Sequence, residues 1–288
     1  MPYLILISII WAFSFGLIKG ELSGLDAYFV SFERIFISFV FFIPFVRKWQ
    51  EWLMYMPLIL TGAVQFGLMY ILYIASYQYL AAWQIALFTV FTPLYVTLFA
   101  DVWERRLNLR FLIATLIAVV GGGVVVYQPQ NSYALALGFF LIQGANICFA
   151  LGQVAYKRIR GHYSEQGDKA LMPWLYLGAL IITFGAVLIG TDFDRIQING
   201  VQIVVLLYLG GVASGLGFFL WNLGVTQVNS GALAVMNNVK APLAILVSVF
   251  LFNEDGQWGK ALIGGAIIVS ALFLTYLKPG NRQQRIYS

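Results

Sequence analysis

Charged residues are scarce in this sequence. They make up 10% of its 288 residues, whereas a soluble globular domain usually contains about 25%. Hydrophobic residues reach 61% and occur in runs of about 20, long enough to cross a hydrocarbon core of roughly 30 Å. The short alternating segments of a β-barrel are absent, and a backbone in lipid must satisfy its own hydrogen bonds. The composition therefore excludes a soluble domain and predicts an all-α integral membrane protein.

Cysteine and histidine are almost absent. Cys148 is the single cysteine, which excludes a disulfide framework and a cysteine-based metal site. His162 is the single histidine, and the sequence contains no HExxH motif, no paired aspartates within an apolar run and no Walker sequence beside its glycines. We therefore expect no metal, no cofactor and no intramembrane catalytic centre.

The apolar runs predict ten membrane-spanning helices. These predicted spans cover roughly residues 2–20, 27–46, 55–79, 82–101, 108–127, 134–156, 171–190, 201–225, 230–252 and 258–277. The links between them are too short to hold a soluble domain.

Lysine and arginine are distributed unevenly among the links. If the N-terminus is cytoplasmic, twelve of the 17 basic residues are inside and three, Lys19, Arg195 and Lys260, are outside. This positive-inside bias predicts that both termini are cytoplasmic. The net charge of +5 is then a topology signal, so we expect membrane lipids as partners and no nucleic acid.

The second half of the chain repeats the first at an offset of 149 residues. The aligned pairs are Gly62 with Gly211, Gln78 with Gln227, Pro93 with Pro242 and Tyr127 with Tyr276. Five spans per half is an odd number, so the second half enters the membrane from the opposite side. The prediction is two inverted five-helix repeats, 1–130 and 131–288, with a transport site near the membrane midplane between them.

Several motifs carry a family resemblance. The segments "WAFSFG", "RIFISFVFFIPF" and "TVFTPLYVTLFADVWERRL" resemble the EamA branch of the drug/metabolite transporter superfamily. The longer stretches "QFGLMYILYIASYQYL" and "GVASGLGFFLWNLGVTQVNSGALAVMNN" are similar to the biotin importers of that superfamily. The resemblance covers almost the whole chain and implies a secondary transporter for biotin or a similar small carboxylate in the inner membrane of a bacterium.

Polar residues interrupt the ninth predicted span. Lys240 lies near its middle, Asn237 is three residues earlier on the same face, and Pro242 leaves the carbonyl of Asn238 without its helical donor. A cation at this depth costs about 2.5–3.5 kcal/mol on insertion scales, so it should face a cavity or another helix. Two interpretations remain open. In the first, Lys240 holds the substrate carboxylate while the asparagines contact its polar ring. In the second, Lys240 pairs with a neighbouring helix or snorkels towards the membrane surface, and the asparagines bridge helices.

Other spans offer further candidates for substrate contacts. They combine aromatic rings with hydrogen-bonding groups, as small-molecule sites do: Trp11, Gln65, Tyr73, Phe88, Asn146, Trp221 and Asn222. The resemblance implies a cavity between spans 1, 3, 4, 6, 8 and 9. The alternative is ordinary packing, because aromatic residues make up 17% of the chain, and a helix–helix hydrogen bond for Asn146.

Glu33 and Arg34 are adjacent charged residues inside the second predicted span. Arg34 is predicted to hold the outer ends of spans together or to form part of an outer gate. Glu33 is the candidate for proton coupling, since it is a carboxyl group within a span.

The sequence leaves three candidate functions for this protein, with unequal support. Import of biotin or a similar small carboxylate by alternating access is favoured, and export of amino acids or other metabolites is the alternative. An intramembrane enzyme is least favoured. Moving an anion into an inside-negative cell costs about 2.3 kcal/mol per 100 mV, so accumulation requires a driving ion or trapping. A monomer and a homodimer are both compatible with the sequence.

Overall fold

The computed structural model describes most of the chain in four stretches, residues 2–46, 49–103, 132–163 and 165–228. Single residues and short groups are also described between 113 and 121 and between 233 and 270. Within these regions the backbone is almost entirely helical and has no strand. Seven helices there are long and apolar enough to cross a membrane.

These seven helices coincide, within a few residues, with seven of the ten predicted spans, except that the fifth continues about seven residues past its predicted end. They are α1 (Pro2–Leu22), α2 (Ala27–Phe45), α3 (Trp52–Ser76), α4 (Ala82–Trp103), α5 (Tyr133–Tyr163), α6 (Asp168–Gly190) and α7 (Gly200–Thr226). The all-α membrane class is thereby confirmed. The predicted spans at 108–127, 230–252 and 258–277 lie largely outside the described residues, so the count of ten stays a prediction.

The helices pack into a bundle with a defined set of neighbours. Helix α6 lies against α2 and α3, helix α5 against α3 and α4, and α7 against α1 and α2. Apolar side chains cover the outside of the bundle, among them Phe140, Leu188 and Ile189, which are more than half exposed. A surface of this kind suits contact with lipid, since water would leave these side chains unfavourably hydrated.

Two helix starts are explained by short polar signals. Asp26 precedes α2, and its Oδ1 accepts a hydrogen bond from the Phe29 amide at 2.9 Å. Asn199 precedes α7 and exchanges backbone-to-side-chain hydrogen bonds with Gln202 at 2.9 and 3.0 Å, which is a capping box. The hydroxyl of Thr191, just after α6, donates to Asp26 Oδ1 at 2.6 Å. The start of α2 is therefore tied to the end of α6.

Three of the described helices depart from α geometry between their ends. Helix α3 has a π-helical segment at Ala63–Leu68, and α7 has one at Leu209–Leu216. Helix α4 narrows to a 3-10 turn at Thr89–Phe91. Pro93 has no N–H to offer the Thr89 carbonyl, and the Thr92 amide bonds to that carbonyl instead. The Thr92 amide therefore does not bond to the Phe88 carbonyl, as it would in a regular α-helix.

Helices α3 and α6 approach until their backbones touch. A Cβ on Gly62 would collide with the carbonyl oxygen of Leu175, and one on Gly178 would collide with that of Ile59. Small residues at membrane helix interfaces permit this closeness, which increases dispersion contact between helices.

The contact gives a stability prediction. Gly178→Ala should lower the unfolding temperature of the purified protein by about 2–10 °C, because overpacking typically costs about 1–3 kcal/mol. Gly185→Ala is the matched control, since a Cβ there meets open space on the same helix. Equal thermal unfolding of Gly178→Ala and the control would contradict the close α3–α6 contact.

Candidate functional site

A cavity opens between six of the described helices, near the middle of the bundle. Its volume is about 70 Å³. It is lined by Trp11, Ser14 and Phe15 of α1, Arg34 of α2, Met69, Tyr70 and Tyr73 of α3, Thr89 of α4, Ala145, Asn146 and Phe149 of α5, and Phe218 of α7. Half of these residues are aromatic, and the lining includes one cation and one amide.

Trp11 forms the centre of the aromatic wall. Its ring centroid lies 5.8 Å from Phe149, 5.6 Å from Phe218 and 4.9 Å from Trp221. Its Nε1 donates to the carbonyl of Ala213 at 2.7 Å. Because the indole is held both by rings and by this hydrogen bond, the wall is a fixed surface rather than a set of independent side chains.

The π-helical segment of α7 explains where that hydrogen bond comes from. A π-helical turn widens the helix and changes the backbone hydrogen-bond register. Side chains donate to several carbonyls of the segment: Trp11 to Ala213, Ser38 to Gly210, Tyr176 to both Ser214 and Gly215, and Ser214 to Leu209. These bonds join α1, α2 and α6 to the irregular part of α7.

Arg34 is the cation of the cavity and is 2% exposed. Its Nε donates to Ser214 Oγ at 3.2 Å, and its Nη2 donates to the Tyr70 hydroxyl at 2.6 Å. Its Cζ also lies 4.3 Å from the centroid of the Tyr70 ring, which is a cation–π contact. Arg34 therefore joins α2, α3 and α7 at the cavity.

Asn146 is the amide of the cavity, and its hydrogen bonds go to protein groups. Its Nδ2 donates to the Phe88 carbonyl at 2.9 Å, and its Oδ1 accepts from the Thr92 hydroxyl at 3.2 Å. Gln143 accepts from the same Nδ2 at 3.3 Å. The helix–helix hydrogen bond considered for Asn146 is thus present, and its acceptor lies directly before the 3-10 turn of α4.

Two buried amide pairs lie in the same interior without lining the cavity. Gln65 Nε2 donates to Asn222 Oδ1 at 3.0 Å, and Asn237 Nδ2 donates to Gln153 Oε1 at 3.0 Å. All four side chains are fully buried. Each pair leaves one donor and one acceptor without a partner in the part of the chain that the structure describes: Gln65 Oε1, Asn222 Nδ2, Gln153 Nε2 and Asn237 Oδ1.

The structure brings together some of the residues that the sequence singled out. Trp11, Arg34, Tyr73 and Asn146 line the cavity. Others are buried but do not line it: Gln65, Phe88, Trp221, Asn222 and Asn237. Glu33 is partly buried and lies outside the cavity lining. Lys240 and Asn238 are outside the described residues.

Tyr70 and Phe149 line the cavity but were missed from the sequence. A regular helix through Gln65 and Met69 favours Leu72 and Tyr73 for the same face. The π-helical segment at Ala63–Leu68 rotates the rest of α3, and Tyr70 lies beside Met69 and Tyr73 in the lining. Sequence periodicity carries no signal for such a segment. Phe149 could not be distinguished from the other aromatic residues, which make up 17% of the chain.

Known proteins resemble this chain along nearly its full length. Residues 1–127 and 136–277 match the EamA-like transporter family. The chain is 37% identical to the probable biotin transporter of Pseudomonas aeruginosa, over 99% of this chain and all of that protein. It is also 37% identical to the biotin transporter of Salmonella typhimurium, over 95% of this chain and 92% of that protein.

More distant similarities are also found. The probable amino-acid metabolite efflux pump of Salmonella typhimurium is 25% identical, over 61% of this chain and 60% of that protein. One solved crystal structure superposes on this chain with a TM-score of 0.64, at 15% sequence identity. The superposition covers 99% of this chain and 96% of that chain, and it supports the fold only. Taken with the apolar helices, these similarities show that the chain belongs to the EamA-like transporter family and is a multi-pass membrane transporter of a small molecule, not an enzyme.

Proposed function

We propose that this protein imports biotin, or a similar small carboxylate, across the bacterial inner membrane by alternating access. One observation carries the proposal: the chain is 37% identical, over more than nine-tenths of both sequences, to proteins named as biotin transporters. The efflux pump matches at lower identity and over less than two-thirds of its length. Export of amino acids is therefore the second candidate.

The chemistry of the cavity supports this class of substrate. Biotin has a carboxylate at one end and a fused ring system with a polar ureido group at the other. Arg34 supplies a cation, and Trp11, Phe149 and Phe218 supply apolar walls. The volume of about 70 Å³ is below the roughly 300–1,000 Å³ of ordinary ligand pockets. Binding therefore requires the lining side chains to move apart.

The remaining site residues are proposed around this cavity. Lys240 would hold the carboxylate, with Asn237 and Asn238 on the polar ring. The two buried amide pairs support a ureido partner, because unpaired buried donors and acceptors are costly. A ureido group offers one carbonyl acceptor and two N–H donors to such atoms. Proposed contacts beyond these are Trp11, Gln65, Tyr73, Phe88, Asn146, Trp221 and Asn222.

The proposed architecture has ten helices in two inverted repeats, 1–130 and 131–288, with both termini cytoplasmic. The two segments that match the family, 1–127 and 136–277, support this division. The π-helical segments Ala63–Leu68 and Leu209–Leu216 also support it, because they overlap when the first is advanced by the repeat offset. Rocking of one repeat against the other would expose the site to each side in turn.

Net accumulation of an anion inside the cell requires an energy source. Coupling to a proton or another ion and trapping of imported biotin both satisfy this requirement. Glu33 is the proposed coupling carboxyl, although it lies outside the cavity lining. Glu33 would therefore have to affect substrate binding through a neighbouring group.

A panel of ligands tests the substrate class. Biotin at about 100 times its Kd should raise the unfolding temperature of the detergent-purified protein by about 5 °C or more, because a ligand that binds only the folded state adds about 2.7 kcal/mol at that excess. Amino acids at millimolar concentration should leave the temperature unchanged. Stabilisation by amino acids and not by biotin would favour the efflux function instead.

A further inference from the structure

Arg34 is a buried cation without an acidic partner in the described chain. The ion pairs found there join Arg160 to Asp168 and Arg195 to Asp192. Arg34 takes part in neither, although it is only 2% exposed. Burial of an uncompensated guanidinium is expensive, and charged groups inside membrane spans usually find a partner or a function.

The two hydrogen-bond partners of the guanidinium are neutral hydroxyls whose own protons are already used. Ser214 Oγ donates to the Leu209 carbonyl at 2.7 Å. The hydrogen bond of 2.7 Å between Tyr70 and Ser214 must therefore be donated by Tyr70. The hydroxyls thus orient Arg34 without neutralising it, and neither has a proton left for a ligand.

The guanidinium still has donors to offer. It carries five N–H groups, and the bonds to Tyr70 and Ser214 use one on Nη2 and the one on Nε. Nη1 is buried and has no partner among the described residues. Arg34 also lines the cavity together with Asn146 and the aromatic wall. A pre-oriented, unpaired cationic donor at a mainly apolar cavity is the arrangement that recognises an anion.

We infer that Arg34 is the anion-binding residue of this cavity, with Nη1 donating to a carboxylate oxygen of the ligand. This inference rests on the proposed function, which makes the carboxylate that of biotin. A carboxylate has two oxygens and about four acceptor positions. The proposed contact with Lys240 is therefore compatible with it. Beyond the outer gate or helix tie expected from the sequence, Arg34 thus determines the specificity for charged ligands.

Comparison of biotin with biotinamide, its neutral carboxamide, tests the role of the charge. In equilibrium binding to purified protein, the wild type should prefer biotin by about tenfold or more. Arg34→Gln should weaken biotin binding by about 10- to 100-fold, the usual range for a lost charge-assisted hydrogen bond. It should change biotinamide binding by less than about threefold, so that the preference for the charged ligand largely disappears.

Lys157→Met is the matched control for net charge. Its Nζ donates to the Val228 carbonyl at 2.6 Å, away from the cavity lining, and the preference for biotin should survive. If Arg34→Gln does not fold, Arg34→Lys provides the test. Lysine keeps the positive charge but lacks the planar set of N–H donors of the guanidinium, so the preference for biotin over biotinamide should still fall by at least about fivefold.

Each outcome decides between the claims. The inference is overturned if the Arg34 variants still prefer biotin over biotinamide, or if they lose the same affinity for both ligands. Arg34 would then only hold helices together. A wild type that binds biotin and biotinamide equally also overturns it, while the proposed substrate stands. A wild type that binds neither ligand overturns the proposed function and this inference with it.

Discussion

Replacing Lys240 by methionine is expected to weaken biotin binding by about 100-fold or more and to abolish uptake. If Lys240 pairs with the substrate carboxylate, its truncation leaves a charge unpaired in a desolvated site, which typically costs about 2–5 kcal/mol. Methionine is similar in length and a good helix former. Loss of a charge from a membrane span also favours insertion, so the variant should fold.

Equilibrium binding of labelled biotin to the purified variant measures this effect. Thermal unfolding without ligand shows whether the variant is folded, and Lys157→Met controls for the loss of one positive charge. An unchanged Kd in a folded Lys240→Met protein would mean that Lys240 only contacts a neighbouring helix. The other interpretation of the polar cluster in the ninth predicted span would then hold.

Replacing Trp11 by alanine is expected to weaken biotin binding by about 30- to 100-fold. The indole is the centre of the aromatic wall, in contact with Phe149, Phe218 and Trp221. Tryptophan side chains in well-packed binding sites commonly contribute about 2 kcal/mol or more, and ring stacking adds to area burial. Titration calorimetry with biotin measures the loss.

The variant Trp11→Phe separates a loss of ligand contact from a loss of fold stability. It retains an aromatic surface and loses the hydrogen bond to the Ala213 carbonyl, so biotin binding should fall by less than about tenfold. Trp52→Ala is the control, because Trp52 is 46% exposed at the start of α3. Equal affinities for wild type, Trp11→Ala and Trp52→Ala would exclude Trp11 from the site.

The sequence predicted the described helices because hydropathy and chain length constrain a membrane protein strongly. Apolar sequences of the length of α1 and α6 can cross a lipid bilayer in few conformations other than a helix. Arg34 and Asn146 could likewise be singled out, since polar groups are rare inside spans. Their hydrogen-bond partners could not be predicted in the same way.

Those partners depend on helix irregularities and on long-range packing. The Phe88 carbonyl that accepts from Asn146 lies directly before the 3-10 turn of α4. Tyr70 joins the cavity beyond a π-helical segment that has no periodicity signal. The sequence therefore suggested a helix tie or an outer gate at Arg34. Its neutral partners, and an Nη1 without a partner among the described residues, favour anion recognition instead.

Solute counterflow in reconstituted vesicles tests the central claim most directly, because it requires no knowledge of the driving ion. Vesicles that contain the protein and are preloaded with unlabelled biotin should transiently accumulate labelled biotin from outside. Protein-free vesicles and vesicles with Lys240→Met should not. The absence of accumulation above the protein-free level, with a protein that is folded and correctly inserted, would contradict biotin transport by this chain.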